Sequence, residues 1–162
     1  MRNTLGYMLT WTTYGAWLQG DENGYVKDGV TLGANTPLAN ANNEQLCKDP
    51  VVLTPTQRKI VEDAILTKAG EISQKIFAIA VCSDHVHIVA DYTTTDLGLI
   101  VRYYKMAGQT ALRNNGFEGR LWTKGFDKRF CFDEQALRAR INYVNKHDKR
   151  IASATAQRNL AP

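Results

Sequence analysis

What most limits the fold of this chain is a pair of apolar runs, 75–83 (KIFAIAVCS) and 85–92 (HVHIVADY), with one residue, Asp84, between them. Both are short and rich in the β-branched and apolar residues that strands favour. Parallel strands need a long crossover connection, and none fits here, so the two runs form an adjacent antiparallel pair. Side chains alternate along a strand, which sends Val86 and Ile88 to one face and His85 and His87 to the other. The first face asks for a covering layer, and the second places two imidazoles side by side.

The remaining elements supply that layer. LGYMLTWTT (5–13) reads as a first strand, and residues 14–50 as a long irregular loop rich in Asn, Gly and Asp. LTPTQRKIVEDAILTKAG opens a helix, with Thr54 as cap, Pro55 in the first turn and Gln57 completing a capping box. Its apolar face is Ile60, Val61, Ala64 and Ile65. A second helix is expected over about 95–114, capped by Thr95 and stopped by the NNG at 114–116. Leu97, Ile100, Val101, Tyr104, Ala107 and Ala111 form its stripe. A further strand falls around 129–132, and Asp133 caps a last helix over about 134–150. The order β-loop-α-β-β-α-β-α is that of an α+β, ferredoxin-like split βαβ sandwich, in which an antiparallel sheet carries helices on one face. Val86 and Ile88 belong to that covered face, leaving the histidine face available for a site.

At 162 residues the chain suits one domain with a buried core. No stretch approaches the ~18–20 apolar residues of a membrane helix, and the N-terminus lacks the pattern of a secretory signal. Cys47, Cys82 and Cys131 are odd in number and form no CxxC pair, which points to reduced thiols and a cytoplasmic setting. Charge is unevenly spread. Residues 1–100 hold 7 Lys and Arg against 11 Asp and Glu, whereas residues 101–162 hold 13 against 5, a local balance of +8. A basic C-terminal third suits a polyanion, nucleic acid above all, although a solvated basic helix has the same composition.

The third and last histidine, His147, lies in RINYVNKHDK on the final helix. It stands one turn beyond Tyr143, and both fall on one flank of the stripe Leu137, Ile141 and Val144, beside Arg140 and Arg150. These are the parts of a phosphodiester-cleaving site. A phenol titrates near ~10 and is a weak nucleophile at neutral pH, so a divalent cation is needed to polarise the phosphate and offset the charge facing a phenolate. Attack would leave a covalent phosphotyrosine that conserves the bond for later rejoining. No GxxxxGK[ST] loop is present to hold a nucleotide triphosphate. Two other readings stay open: a non-catalytic single-strand nucleic-acid binder with structural histidines, and a metal-dependent phosphoesterase using activated water.

CSDHVHIVADY resembles the His-hydrophobic-His segment of the HUH single-tyrosine transposases, the insertion sequence 200-like superfamily, which often read MPNHVHLLI here. LWTKGFDKRFCFDEQALRARINYVNKHDKR is similar to the tyrosine segment of the REP-associated branch, and TWTTYGAWLQGDENG to an opening found in one branch. The resemblance spans most of the chain and is weakest across about 28–53. It implies cleavage and rejoining of hairpin-forming single-stranded DNA through a 5′-phosphotyrosine, with Mg²⁺ or Mn²⁺. His85 and His87 match the metal pair, and Tyr143 matches the nucleophile. His147 stands where relatives place Gln or Asn, which makes it a third ligand and favours softer ions than Mg²⁺. The KHD after the tyrosine departs from the relatives' NP. Relatives include both homodimers and monomers, and the partner copy stays open. For DNA contact the basic candidates are Arg102, Lys105, Lys124, Lys128 and Arg129, with Arg140 and Arg150 near the tyrosine. Tyr14, Trp17, Tyr103, Tyr104 and Trp122 are the aromatic candidates for base stacking.

Overall fold

The computed structural model describes residues 3–16, 26–27, 30–31 and 50–160, with side chains only to His147 and none for the two short strands at 26–31. Most of the expected loop at 14–50, with Trp17 and Cys47, and the Arg150 side chain lie outside the described residues. Among the described residues, six strands and three helices follow in the order β1 (Gly6–Thr12), β2 (Val26–Lys27), β3 (Val30–Thr31), α1 (Pro55–Glu71), β4 (Ile76–Val81), β5 (His85–Asp91), α2 (Leu97–Arg113), β6 (Asp127–Cys131) and α3 (Glu134–Leu160). The main sheet is antiparallel throughout, in the order β4-β5-β1-β6, while β2 and β3 form a separate antiparallel pair. This is the ferredoxin-like order inferred from the alternation of elements.

Helices α1 and α2 cover one face of the sheet. Tyr7, Leu9 and Trp11 of β1 and Val86 and Ile88 of β5 pack there against Val61, Ile65 and Ala69 of α1 and Ile100, Val101 and Tyr104 of α2. The third helix lies across the opposite face, where Leu137, Ile141 and Val144 meet Met8, Ala78, Ala80, Cys82 and Val89. Every residue of β1 is therefore buried. Small side chains bring α3 close. A Cβ on Gly6 would stand 2.6 Å from the Ala90 carbonyl oxygen and 3.0 Å from Leu137.

The helix starts follow local chemistry. Thr54 and Gln57 form the capping box reciprocally, and the Asp133 carboxylate accepts from the Ala136 amide at 2.7 Å. Three sequence expectations shift. Asp96, not Thr95, caps α2, because its carboxylate reaches the Leu99 amide at 3.1 Å. The lower half of the α2 stripe runs through Gly108 and Leu112 instead of Ala107 and Ala111. At Gly108 the helix passes so near Val61 and Trp122 that an added Cβ would stand 3.3 Å from each, so the residue without a side chain faces inward. The last helix continues to Leu160, ten residues past its expected end.

Candidate metal and tyrosine site

Register builds the site before any side chain is considered. Thr12 pairs with His85 and Thr10 with His87, so each imidazole stands across from a small hydroxyl on the α3 side of the sheet. The burial of Val144 seats α3 and carries its neighbours Tyr143 and His147 over the two histidines. The ring centroids of His85, His87 and His147 are 4.7, 4.9 and 5.7 Å apart. The Tyr143 ring lies 4.8 Å from His147 and 5.6 Å from His87. Residues about 60 positions apart in sequence thus share one cluster, and the 44% exposure of Tyr143 leaves its phenol accessible from solvent.

The hydrogen bonds at the imidazoles decide which nitrogens carry hydrogen. The Asp84 carboxylate lies 2.7 Å from His85 Nδ1. A carboxylate only accepts, so Nδ1 carries the hydrogen and the Nε2 lone pair is left for a ligand. Thr10 Oγ1 lies 2.9 Å from His87 Nδ1 and allows the same tautomer. Burial, reinforced by the neighbouring His85 and His147, pushes His87 down from the usual imidazole range to about 3. It is therefore neutral at physiological pH, as a metal ligand must be. One potential ligand nitrogen from each of His85, His87 and His147 lies within 4.8 Å of the others. Two nitrogens on one ion at ~2.1 Å each are at most ~4.2 Å apart, so side-chain movements below an ångström bring the three together. Neutral nitrogen donors suit a divalent transition ion. This group is able to hold a metal.

The cations predicted from sequence divide into three settings. Arg140, one turn before Tyr143, lies near enough to Cys131 to oppose the upward push that burial exerts on that thiol. Arg129 shares the histidine side of the sheet with Met8, its partner in register, and pairs with Asp127 at 3.1 Å. Lys128 points to the other side; Arg102 and Lys124 are exposed. Lys105 is committed to the fold, since its ammonium donates to the carbonyls of Thr123 and Gly125 at 2.9 and 2.7 Å. Tyr104 and Trp122 belong to the core: the Tyr104 hydroxyl donates to Gln74 and the Trp122 indole to the Lys105 carbonyl. Tyr14 is half-buried beneath the Arg120 guanidinium, 4.9 Å from its ring. Sequence reasoning missed Thr10 and Asp84, although the threonines alternating in LTWTT and the acid directly before His85 were visible signals.

No family model matches the chain, and no curated protein does. Among solved structures it is similar to a REP-associated tyrosine transposase bound to a REP hairpin, with TM-score 0.53 and 13% identity over 89% of this chain and 68% of that one. It is also similar to a putative transposase from Deinococcus radiodurans R1, with TM-score 0.46 and 15% identity over 90% and 92% of the two chains. The first of these likenesses shows that the fold is shared.

Proposed function

We propose that this protein is a metal-dependent single-stranded DNA endonuclease and strand transferase of the HUH tyrosine-transposase type, acting in DNA transposition. The observation that carries the reading is the meeting of Tyr143 with His87 and His147, at ring separations of 5.6 and 4.8 Å, where these two also gather with His85. The shared fold supports it, as does the hairpin DNA bound by the similar transposase.

Tyr143 is the nucleophile. Its phenolic oxygen forms a bond to the scissile phosphorus as the bond to the 3′ oxygen breaks; the phenol gives up its proton, and the departing oxygen gains one as a free 3′ hydroxyl. The product is a 5′-phosphotyrosine, which a DNA 3′ hydroxyl attacks in the reverse sense to rejoin a strand. His85, His87 and His147 hold a divalent ion, Mg²⁺ or Mn²⁺, which when bound neutralises charge on the phosphate. The three-nitrogen donor set favours the softer Mn²⁺. Carrying nucleophile and third ligand one turn apart on a single helix keeps Tyr143 in fixed relation to the histidines. Arg140, on the same flank, and Arg129, across the sheet edge, serve the phosphates.

The test is a denaturing gel after incubation with Mn²⁺ and a pool of single-stranded hairpin oligonucleotides. A covalent protein–DNA species is expected, and Tyr143→Phe should abolish it without lowering the melting temperature. Turnover with no trapped species would instead indicate hydrolysis by activated water, and an adduct that survives the substitution would remove Tyr143 as nucleophile.

A further inference from the structure

The end of the sheet remote from the histidines carries a row of aromatic rings that the proposed reaction does not use. Tyr92, just past β5, and Phe130 and Phe132, on and beyond β6, are 53%, 45% and 42% exposed. Buried Tyr7 joins them, its ring 6.1 Å from Tyr92 and 5.6 Å from Phe130. Phe130 and Phe132 lie nearly parallel, 25° between planes and 6.2 Å between centroids. The Lys128 ammonium stands 5.9 Å from the centre of the Phe130 ring. Phe130 belongs to β6, which among the described residues pairs with β1 alone and so forms an edge of the sheet.

Three large apolar side chains exposed together mark a contact surface. Its chemistry indicates the partner. Rings held nearly parallel accept the flat faces of unpaired bases, and a cation beside them meets the backbone phosphate. Residues 127–132 carry Lys128 and Arg129 against Asp127, so the strand that bears the rings is locally basic. We propose that Phe130, Phe132 and Tyr92 form a stacking platform for unpaired bases of single-stranded DNA, with Lys128 on the backbone. This rests on the reading of the protein as a single-strand DNA enzyme and adds a site for nucleotides outside the cleaved linkage. Five residue steps lead from His87 to Tyr92, about 16 Å at ~3.3 Å each, and Phe130 shares the sheet side of its partner Tyr7, away from the imidazoles.

The experiment measures fluorescence anisotropy of labelled dT20 with the full chain in EDTA, so that binding is read without cleavage. The wild type should bind in a salt-sensitive manner. Phe130→Ala with Phe132→Ala should weaken binding ~30-fold or more, given the usual contribution of stacked bases. Leu at both positions keeps the apolar bulk without the ring and should bind as poorly as Ala, whereas Tyr at both should restore binding. Thermal melts establish that each variant is folded; the Leu and Tyr pairs decide the matter if the Ala pair is not. Binding by the Leu or Ala pair within twofold of wild type overturns the platform, as does absence of dT20 binding by the wild type. A wild-type dimer in sedimentation that becomes monomeric in the Ala pair, with DNA affinity unchanged, overturns it in favour of a second copy of the chain. The wild-type hairpin adduct is scored separately, so the platform can fail while the Tyr143 reaction stands.

Discussion

Replacing Asp84 by Ala isolates what the carboxylate beside His85 does. The 2.7 Å contact orients the imidazole and places the hydrogen on Nδ1, leaving the Nε2 lone pair for a ligand. Losing such a partner of a ligating histidine typically costs ~10–100-fold in metal affinity. The Asp84 side chain is 51% exposed, and solvent screening puts the expected loss at the lower end, about tenfold. Folding stability should change by no more than ~0.5 kcal/mol, as for most exposed substitutions. Thr10→Val should behave differently. Thr10 and His87 are both buried, so removing the hydroxyl leaves a polar hydrogen on the ring without a partner, costing about 1–3 kcal/mol of stability as well as affinity. Asp84→Asn retains an acceptor oxygen and should hold most of the affinity. Titration calorimetry with Mn²⁺ and urea unfolding in EDTA measure the two quantities. Mn²⁺ affinity within twofold of wild type in Asp84→Ala would refute the orienting role, provided His85→Ala abolishes binding in the same assay.

Three further outcomes follow from packing and charge. Gly6→Ala should destabilise by about 1–3 kcal/mol in urea, because its methyl group meets the Ala90 carbonyl and Leu137 and forces α3 off the sheet; unchanged stability would mean that α3 seats elsewhere. The metal-free protein should lose stability as pH falls below ~6.5. His87 is held neutral when folded and titrates near 3, so between these values the unfolded chain binds the extra proton. From pH 7.5 to 5 the loss is about 2 kcal/mol in EDTA, and His87→Phe should flatten it. Lys105→Met should cost about 1–3 kcal/mol by freeing the carbonyls of Thr123 and Gly125. Its salt dependence of DNA binding should match wild type, whereas a direct phosphate contact would reduce the slope by ~1.

Local rules determined much of this protein from sequence alone. The Asp84 break forces a hairpin, alternation sends His85 and His87 to one face, and the Thr54–Gln57 box and Asp133 cap start their helices where short-range hydrogen bonding predicts. Helical spacing likewise puts Tyr143 and His147 on one flank, because four residues nearly complete a turn. These features depend on neighbours a few residues apart, which is why they were legible.

Only the tertiary structure decided which flank faces the sheet and what each polar group meets there. The register of β1 against β5 sets Thr10 beneath His87, and the packing of Val144 lowers His147 onto a strand about 60 residues earlier. The same packing diverted groups that sequence had offered to DNA: Lys105 went to loop carbonyls, and Tyr104 and Trp122 to the core. Sequence displays residue types and spacing. Whether a charge or ring reaches solvent depends on long-range burial, where an unmet polar group is costly and the nearest acceptor takes it.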